Sequence, residues 1–326
     1  MVTVLISSMG RRVGLIQCFR DSAQKLGLDI RVLGCDAEPE MAPAKWFVDS
    51  AFKIPRCSEP DFINKLLNIC KDEHVDLLVP TIDNELILLA SNKKLFQAVG
   101  TTVAISALEV VNISRNKVQT ARLLMNNQIE TPRFATANEF LKAPERLKFP
   151  VILRPVAGSG SKGLIIIESM SELEHIRLDP KNYMAQEMYQ GREYTVNMFF
   201  DRDGSLKCAI PHLRYEIRAG EVSKGITRRV PELINIARRM ASALKGAYGP
   251  MCFQAIMDDH GKAVVFEINA RFGGGYPLAH QAGARFAQWL IEDVKGLPST
   301  ASDEWQDGVV MLRFDSAVFF NLNENK

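Results

Sequence analysis

Hydrophobic residues over the first ~110 positions fall in short runs separated by amphipathic stretches. Thr3–Ser7 is an apolar run. After Met9-Gly10-Arg11-Arg12-Val13-Gly14, an amphipathic stretch extends through Leu26, and Gly27 suits a helix C-terminal cap. Ile30–Cys35 and Phe52–Pro55 read as strands. Asp61–Asp72 carries Phe62, Leu66, Leu67 and Ile69 at helical spacing. Val75–Pro80 is a strand, Glu85–Asn92 a helix and Thr102–Ile105 a strand. Strands alternating with helices predict a parallel, doubly wound α/β sheet.

The pattern changes from about residue 111. Asn116–Asn126 reads as a helix, and Pro132 and Pro144 punctuate a loop-rich passage. Phe149–Pro155 and Leu164–Glu168 are strands flanking the glycine-rich Ala157–Gly163. Further strands are expected near Tyr183–Glu187, Tyr194–Asp201 and Leu206–Ile210, then a helix over Pro231–Lys245. Gly249–Asp258 and Ala263–Asn269 form a hairpin around Asp259-His260-Gly261, and Val309–Phe314 reads as a last strand. This half predicts an α+β architecture, largely antiparallel.

Composition narrows the function. The 326 residues are 47% hydrophobic and 24% charged, which excludes a disordered or fibrous chain. Forty Lys and Arg against 38 Asp and Glu leave a net charge of +2. That balance argues against a nucleic-acid partner but allows a local basic pocket. No apolar run reaches the ~18 residues of a membrane span, and the N-terminus lacks the form of a secretory signal. A cytoplasmic protein with no membrane partner is expected. Cys18, Cys35, Cys57, Cys70, Cys208 and Cys252 form no CxxC pair and read as reduced, mostly buried thiols. Chemistry should therefore rest on carboxylates, amides and cations.

Gly158-Ser159-Gly160-Ser161-Lys162-Gly163 matches GxGxxG but leads into a strand, not the helix of a dinucleotide fingerprint. It reads either as a hairpin folding over phosphates or as a plain flexible turn. Lys162 is followed by glycine, so this is not a P-loop, and no kinase HRD or DFG string occurs. Arg154, on the strand before the loop, needs an anionic partner, either a phosphate or a structural carboxylate. Lys117 could supply a second cation or remain a surface lysine.

Phe266-Glu267-Ile268-Asn269-Ala270-Arg271 is the strongest chemical signal. On a strand, Glu267, Asn269 and Arg271 share one face. They suit a Mg²⁺–phosphate site in which Arg271 neutralises a transferring phosphoryl group. Gln254, on the facing hairpin strand, would add an oxygen, and Gly273-Gly274-Gly275 would let a ligand approach the backbone. The strand end Gln186–Tyr189, with Glu187, suits an adenine edge, and Glu193 suits ribose hydroxyls. Arg214 and Arg218, four apart, would share a strand face and either clamp a substrate carboxylate or form ordinary ion pairs. Lys224 lies in Ser223-Lys224-Gly225.

In this order, these pieces resemble the ATP-grasp superfamily, and within it single-unit proteins similar to the carbamoyl phosphate synthetase large subunit. Pro80-Thr81-Ile82-Asp83-Asn84-Glu85 and Ile129-Glu130-Thr131-Pro132 belong to the resemblance, which covers nearly the whole chain. It implies a Rossmann-like pre-ATP-grasp domain over 1–110, a small lobe with the glycine loop over 111–190, and a large lobe with the metal site over 191–326. It implies ATP and one or two Mg²⁺, with Mn²⁺ as a substitute. Lys117 and Arg154 would hold phosphates under Gly158, Ser159, Gly160, Ser161 and Gly163. Gln186, Glu187, Tyr189, Glu193 and Lys224 would hold the nucleotide. Gln254, Glu267 and Asn269 would hold metal. Arg271 and Arg154 would serve catalysis, and Arg214, Arg218, Arg271 and Gly273–Gly275 the substrates.

The implied reaction joins a small-molecule carboxylate to an amine through an acyl phosphate. The alternatives are phosphorylation of bicarbonate or carbamate, and a regulatory ATP-binding module without turnover. A homodimer is a further expectation by analogy. The length holds one ATP-binding unit and not the doubled synthetase arrangement.

Overall fold

The computed structural model describes residues 1–158, 163–177 and 179–321. The chain divides into two compact units. The first comprises residues 1–104, 285–300 and 312–326, and the second comprises 105–284 and 301–311.

The first unit is built on strands β1 (Val2–Ser7), β2 (Ile30–Asp36), β3 (Ser50–Lys53), β4 (Leu77–Pro80) and β5 (Thr102–Val103). They form a parallel sheet in the order β3-β2-β1-β4-β5. β1 is wholly buried, as an apolar central strand covered on both faces should be. The expected helix at Glu85 begins instead as a 3₁₀ turn over Asp83–Glu85 and continues as Leu86–Ser91. The reason is local. Glu85 turns its buried carboxylate back to accept from the N–H groups of Thr81 (2.8 Å) and Ile82 (3.1 Å). Its other oxygen accepts from Ser7 (2.6 Å) and Ser8 (2.9 Å). The helix Phe286–Val294 packs against Val13–Lys25 in this unit, although the sequence reading grouped it with the large lobe. Its run of buried side chains, Phe286 to Glu292, finds its partner surface there.

The second unit holds two sheets. β6 (Phe134–Thr136), β7 (Val151–Pro155), β8 (Ile165–Ile167) and β9 (Tyr183–Glu187) are ordered β6-β9-β7-β8, all antiparallel. Alternation on β7 buries Val151 and Leu153 in a core with Phe140, Leu147, Ile167 and Leu173. Ile152 and Arg154 point to the opposite face.

The larger sheet contains β10 (Arg192–Phe200), β11 (Leu206–Arg218), β12 (Glu221–Thr227), β13 (Gly249–Met257), β14 (Ala263–Asn269) and β15 (Val310–Leu312). Their order is β14-β13-β10-β11-β12-β15. β11 runs well past the expected end at Ile210 and through Pro211. A proline usually argues against a central strand, since it donates no ladder hydrogen bond. Here the Pro211 carbonyl is used, accepting from Arg228 N–H at 3.0 Å. The helix over Lys117–Asn126 starts where expected, capped by the Asn116 side chain, which accepts from Val118 and Gln119 N–H.

Candidate active site

The site grows from one face of the large sheet. On β10, Glu193, Thr195 and Asn197 alternate with the apolar Tyr194, Val196 and Met198. Directly opposed residues of an antiparallel pair share a face. Thr195 faces Gln254 on β13 and His212 on β11, and Asn197 faces Cys252. Gln254 in turn faces Glu267 on β14, and Cys252 faces Asn269. One sheet face thus collects Glu193, Thr195, Asn197, His212, Gln254, Glu267 and Asn269. Thr195, Asn197, His212 and Asn269 are buried. Thr195, Asn197 and His212 escaped the sequence reading, although the period-two polar residues of β10 were a readable signal.

Arg154 reaches this face from β7. Its Nη1 donates to Gln186 Oε1 at 3.1 Å and to the Phe266 carbonyl at 3.3 Å, and Nη2 lies 3.5 Å from Glu267 Oε2. Its guanidinium also sits 5.3 Å from the Phe266 ring centroid. Burial lowers the Arg154 pKa, while Glu267 and Glu193 oppose that shift. Glu193 moves upward from the usual carboxylate range because of burial. Arg214 pulls it back, and Glu267 adds to the rise.

Glu193 is held by Arg214, whose side chain is only 5% exposed. The structure does not bring Arg218 alongside. Register shifts on β11 between Arg214 and Glu216, and between Glu216 and Ile217, break the period-two pattern, and Arg218 lies exposed. Lys224 forms an exposed ion pair with Glu216 at 2.7 Å. Glu187 accepts from Lys148 N–H at 2.8 Å, and Tyr189 donates to Asp258 at 2.8 Å. The Glu187 and Met188 N–H groups donate to the Arg133 and Pro150 carbonyls. Backbone recognition at this strand end therefore cannot draw on those two donors.

Lys117 donates from Nζ to the Gly158 carbonyl at 2.9 Å, and its own N–H donates to Val156 O. Gly158 (φ +136°) and Gly163 (φ +73°) adopt backbone that favours glycine. Ser159, Gly160 and Ser161 lie outside the described residues.

Gln254 provides a test of metal fit. In one amide orientation its nitrogen donates to Glu267 Oε2 and its oxygen accepts from Arg214, both at 3.2 Å. In the other, its oxygen faces only acceptors, beside the Glu267 carboxylate. A divalent cation shared by the two oxygens would relieve that oxygen-to-oxygen contact, although the amide nitrogen would still face the Arg214 donor. With the Asn269 amide oxygen, the donor set is all hard oxygen, as Mg²⁺ requires. Arg271 donates to the Phe272 carbonyl at 2.9 Å, just beyond this strand. The space beside each following glycine is filled by protein. A Cβ at Gly273 would meet Asn197 Oδ1 at 3.2 Å, and one at Gly275 would meet His212 Nε2 at 2.7 Å.

This arrangement belongs to the ATP-grasp class. Residues 114–275 match the ATP-grasp domain family, and residues 4–104 match the PylC-like N-terminal domain. The chain thus carries an ATP-grasp domain behind a PylC-like N-terminal domain, and ATP-grasp enzymes use ATP and Mg²⁺. It is 24% identical over 222 residues to a D-alanine–D-alanine ligase of Pseudomonas putida, covering 62% of this chain and 70% of the relative. It is 25% identical over 180 residues to the Francisella tularensis subsp. novicida enzyme of the same name, covering 52% and 60%.

Among solved structures, a biotin carboxylase–ATP complex from Campylobacter jejuni superposes with TM-score 0.73 at 16% identity, covering 94% of this chain and 74% of that one. An N5-carboxyaminoimidazole ribonucleotide synthetase from Thermotoga maritima gives 0.69 at 19%, covering 94% and 78%. An L-amino acid ligase from Bacillus licheniformis gives 0.67 at 20%, covering 90% and 74%. These likenesses establish the fold. No helix among the described residues is long and apolar enough to cross a membrane.

Proposed function

We propose that the protein joins a small-molecule carboxylate to an amine through an acyl phosphate, with ATP converted to ADP and phosphate. One observation carries the reading: Arg154 meets Gln186, the Phe266 carbonyl and Glu267 at a single point. A cation, a buried amide and a carboxylate able to bind metal are thereby gathered in a combination that would suit a nucleotide phosphate.

In this reading a substrate carboxylate oxygen attacks the γ-phosphorus, and the bond to the ADP oxygen breaks. The amine nitrogen then attacks the acyl carbon. The carbon–oxygen bond to phosphate breaks, phosphate leaves with the electron pair, and the amine gives up a proton. Lys117 and Arg154 bind phosphate oxygens, beside Gly158 and Gly163. Gln186, Glu187 and Tyr189 line the adenine side. Glu193, fixed by Arg214, faces the ribose. Arg271 steadies the charge that develops during transfer. Glu267, Asn269 and Gln254 would hold Mg²⁺, which when bound neutralises phosphate charge. Lys224, already paired with Glu216, serves as a surface residue here.

The relatives named for amino-acid ligation make amino acids the first acids and amines to try. ADP release should appear with at least one pair from D-alanine and the L-amino acids at millimolar Mg²⁺, and bicarbonate alone should not replace the acid. Absence of ATP binding under those conditions would overturn the reading.

A further inference from the structure

Gln254 stands between two groups that agree on how its amide should turn. One end of the amide lies 3.2 Å from Glu267 Oε2 and the other 3.2 Å from Arg214 Nη1. An ionised carboxylate only accepts hydrogen bonds, and a guanidinium only donates them. Glu267 therefore requires the amide nitrogen, and Arg214 requires the amide oxygen. Ligating a cation together with Glu267 demands the reverse, because only the amide oxygen is a metal donor. The amide must then turn over, giving up both hydrogen bonds and setting its NH₂ against Arg214 Nη1. Arg214 has little freedom to yield. Its side chain is only 5% exposed, Nη1 also donates to Glu193 Oε1, and Nη2 donates to the Gly220 carbonyl at 2.9 Å.

We propose that Arg214 is a positioning residue for the metal site, acting through the Gln254 amide. It holds the amide oxygen away from metal ligation and so sets the cation concentration at which that oxygen joins Glu267 and Asn269. This rests on the metal set of the reading above and on neither substrate. A hydrogen bond from a charged donor is worth about tenfold or more in affinity, which is the size of the threshold. The device depends on an amide. A carboxylate at this position would show Arg214 an oxygen whichever way it turned. Because the same guanidinium also holds Glu193, the metal side of the site and the carboxylate assigned to the ribose share one donor group.

Mn²⁺ binding to the nucleotide-free protein, followed by the electron paramagnetic resonance of the free ion, tests this without turnover. Absence of binding by the wild type, or binding untouched by Glu267→Gln, overturns the metal set and this proposal together. Arg214→Lys keeps the charge but loses the fork that reaches Glu193 and Gln254 at once. It should tighten Mn²⁺ binding about fivefold or more. In a Gln254→Met background the same change should alter binding by less than about twofold, since the amide through which Arg214 acts is gone. Tightening that persists in Gln254→Met, or none beside wild-type Gln254, overturns the role of Arg214 alone. A second measurement needs no Arg214 variant. In protein with isotope-labelled glutamine, the Gln254 side-chain NH₂ resonances are identified by their loss in Gln254→Met. They should shift as Mg²⁺ is raised to saturation and the NH₂ group leaves Glu267 for Arg214. Unmoved resonances would overturn the turn of the amide. ADP release with the amino-acid panel reports on the ligase reading independently of all these outcomes.

Discussion

The Arg154 guanidinium and the Glu267 carboxylate meet with Nη2 3.5 Å from Oε2, although 113 positions separate them in the chain. Their side chains are only 12% and 17% exposed. Removing one partner from a pair this enclosed leaves the other charge poorly solvated, a penalty that mutual attraction no longer offsets.

Arg154→Ala should therefore lower kcat/KM for ATP by about a hundredfold, on the order of 3 kcal/mol. Arg154→Lys should recover only part of this. A lysine keeps the charge but loses the planar fork that reaches Gln186, the Phe266 carbonyl and Glu267 together. Steady-state ADP release against ATP concentration checks both variants, and equal activity in Arg154→Lys and wild type would contradict a role for the fork.

Much of this site was legible because strand periodicity is local. Glu267 and Asn269 could be placed on one face from their spacing alone, and Gln254 does lie opposite Glu267; Arg271 falls past the end of β14, where strand alternation no longer fixes its face. Other features depended on tertiary information. The register shifts between β11 and β12 that fall between Arg214 and Ile217 leave no mark in residue type. The Arg214–Glu193 pair needs two strands in register before it exists. The glycines after Arg271 signalled close approach, but the atoms filling their Cβ positions come from Asn197, Glu221 and His212 on other strands. The helix over Phe286–Val294 joins the first unit by contacts across most of the chain, which no local pattern encodes.

Glu267→Gln should shift the Mg²⁺ activation curve to higher concentration, by about tenfold or more. It keeps the shape of the side chain but replaces a charged oxygen donor with a neutral amide, which Mg²⁺ binds less well. ADP release titrated with Mg²⁺ at fixed saturating ATP measures the shift. An unchanged midpoint would remove Glu267 from the metal set.

Glu85 should impose a pH dependence on the first unit. Its carboxylate is fully buried, and burial raises its pKa above the ordinary 4.5, although hydrogen bonds from Ser7, Ile82, Thr81 and Ser8 pull the other way. A carboxylate with a raised folded pKa binds its proton more tightly in the native state. Its contribution is therefore greatest at low pH and declines as pH rises from about 4.5 through the folded value. Glu85→Gln can keep all four contacts, because Oε1 still accepts two N–H groups and the amide can donate to the two serine oxygens, if those hydroxyls turn. The variant should lose this decline and gain on the wild type as pH rises. Glu85→Ala should be destabilised throughout by about 2–4 kcal/mol, because it orphans buried N–H groups. Urea unfolding followed from about pH 4 upward, starting near the ordinary carboxylate pKa, distinguishes the three proteins.

Gly275→Ala isolates steric fit from backbone freedom. Gly275 has φ −86°, which alanine adopts without strain, so any cost must come from space. The added methyl would lie 2.7 Å from His212 Nε2 and 2.8 Å from Val222 Cγ1, both on buried side chains with little room to yield. Overpacking of this kind costs about 1–3 kcal/mol, or a drop of a few degrees in unfolding temperature. Gly261→Ala is the converse control. A Cβ there meets nothing within 4 Å, but φ is +80°, so its cost is conformational alone. Adding His212→Ala to Gly275→Ala should make the double variant more stable than the sum of the two single losses predicts, since the clashing ring is gone. The same second change added to Gly261→Ala should be additive. Additivity in both pairs would mean that the His212 ring does not set the space at Gly275.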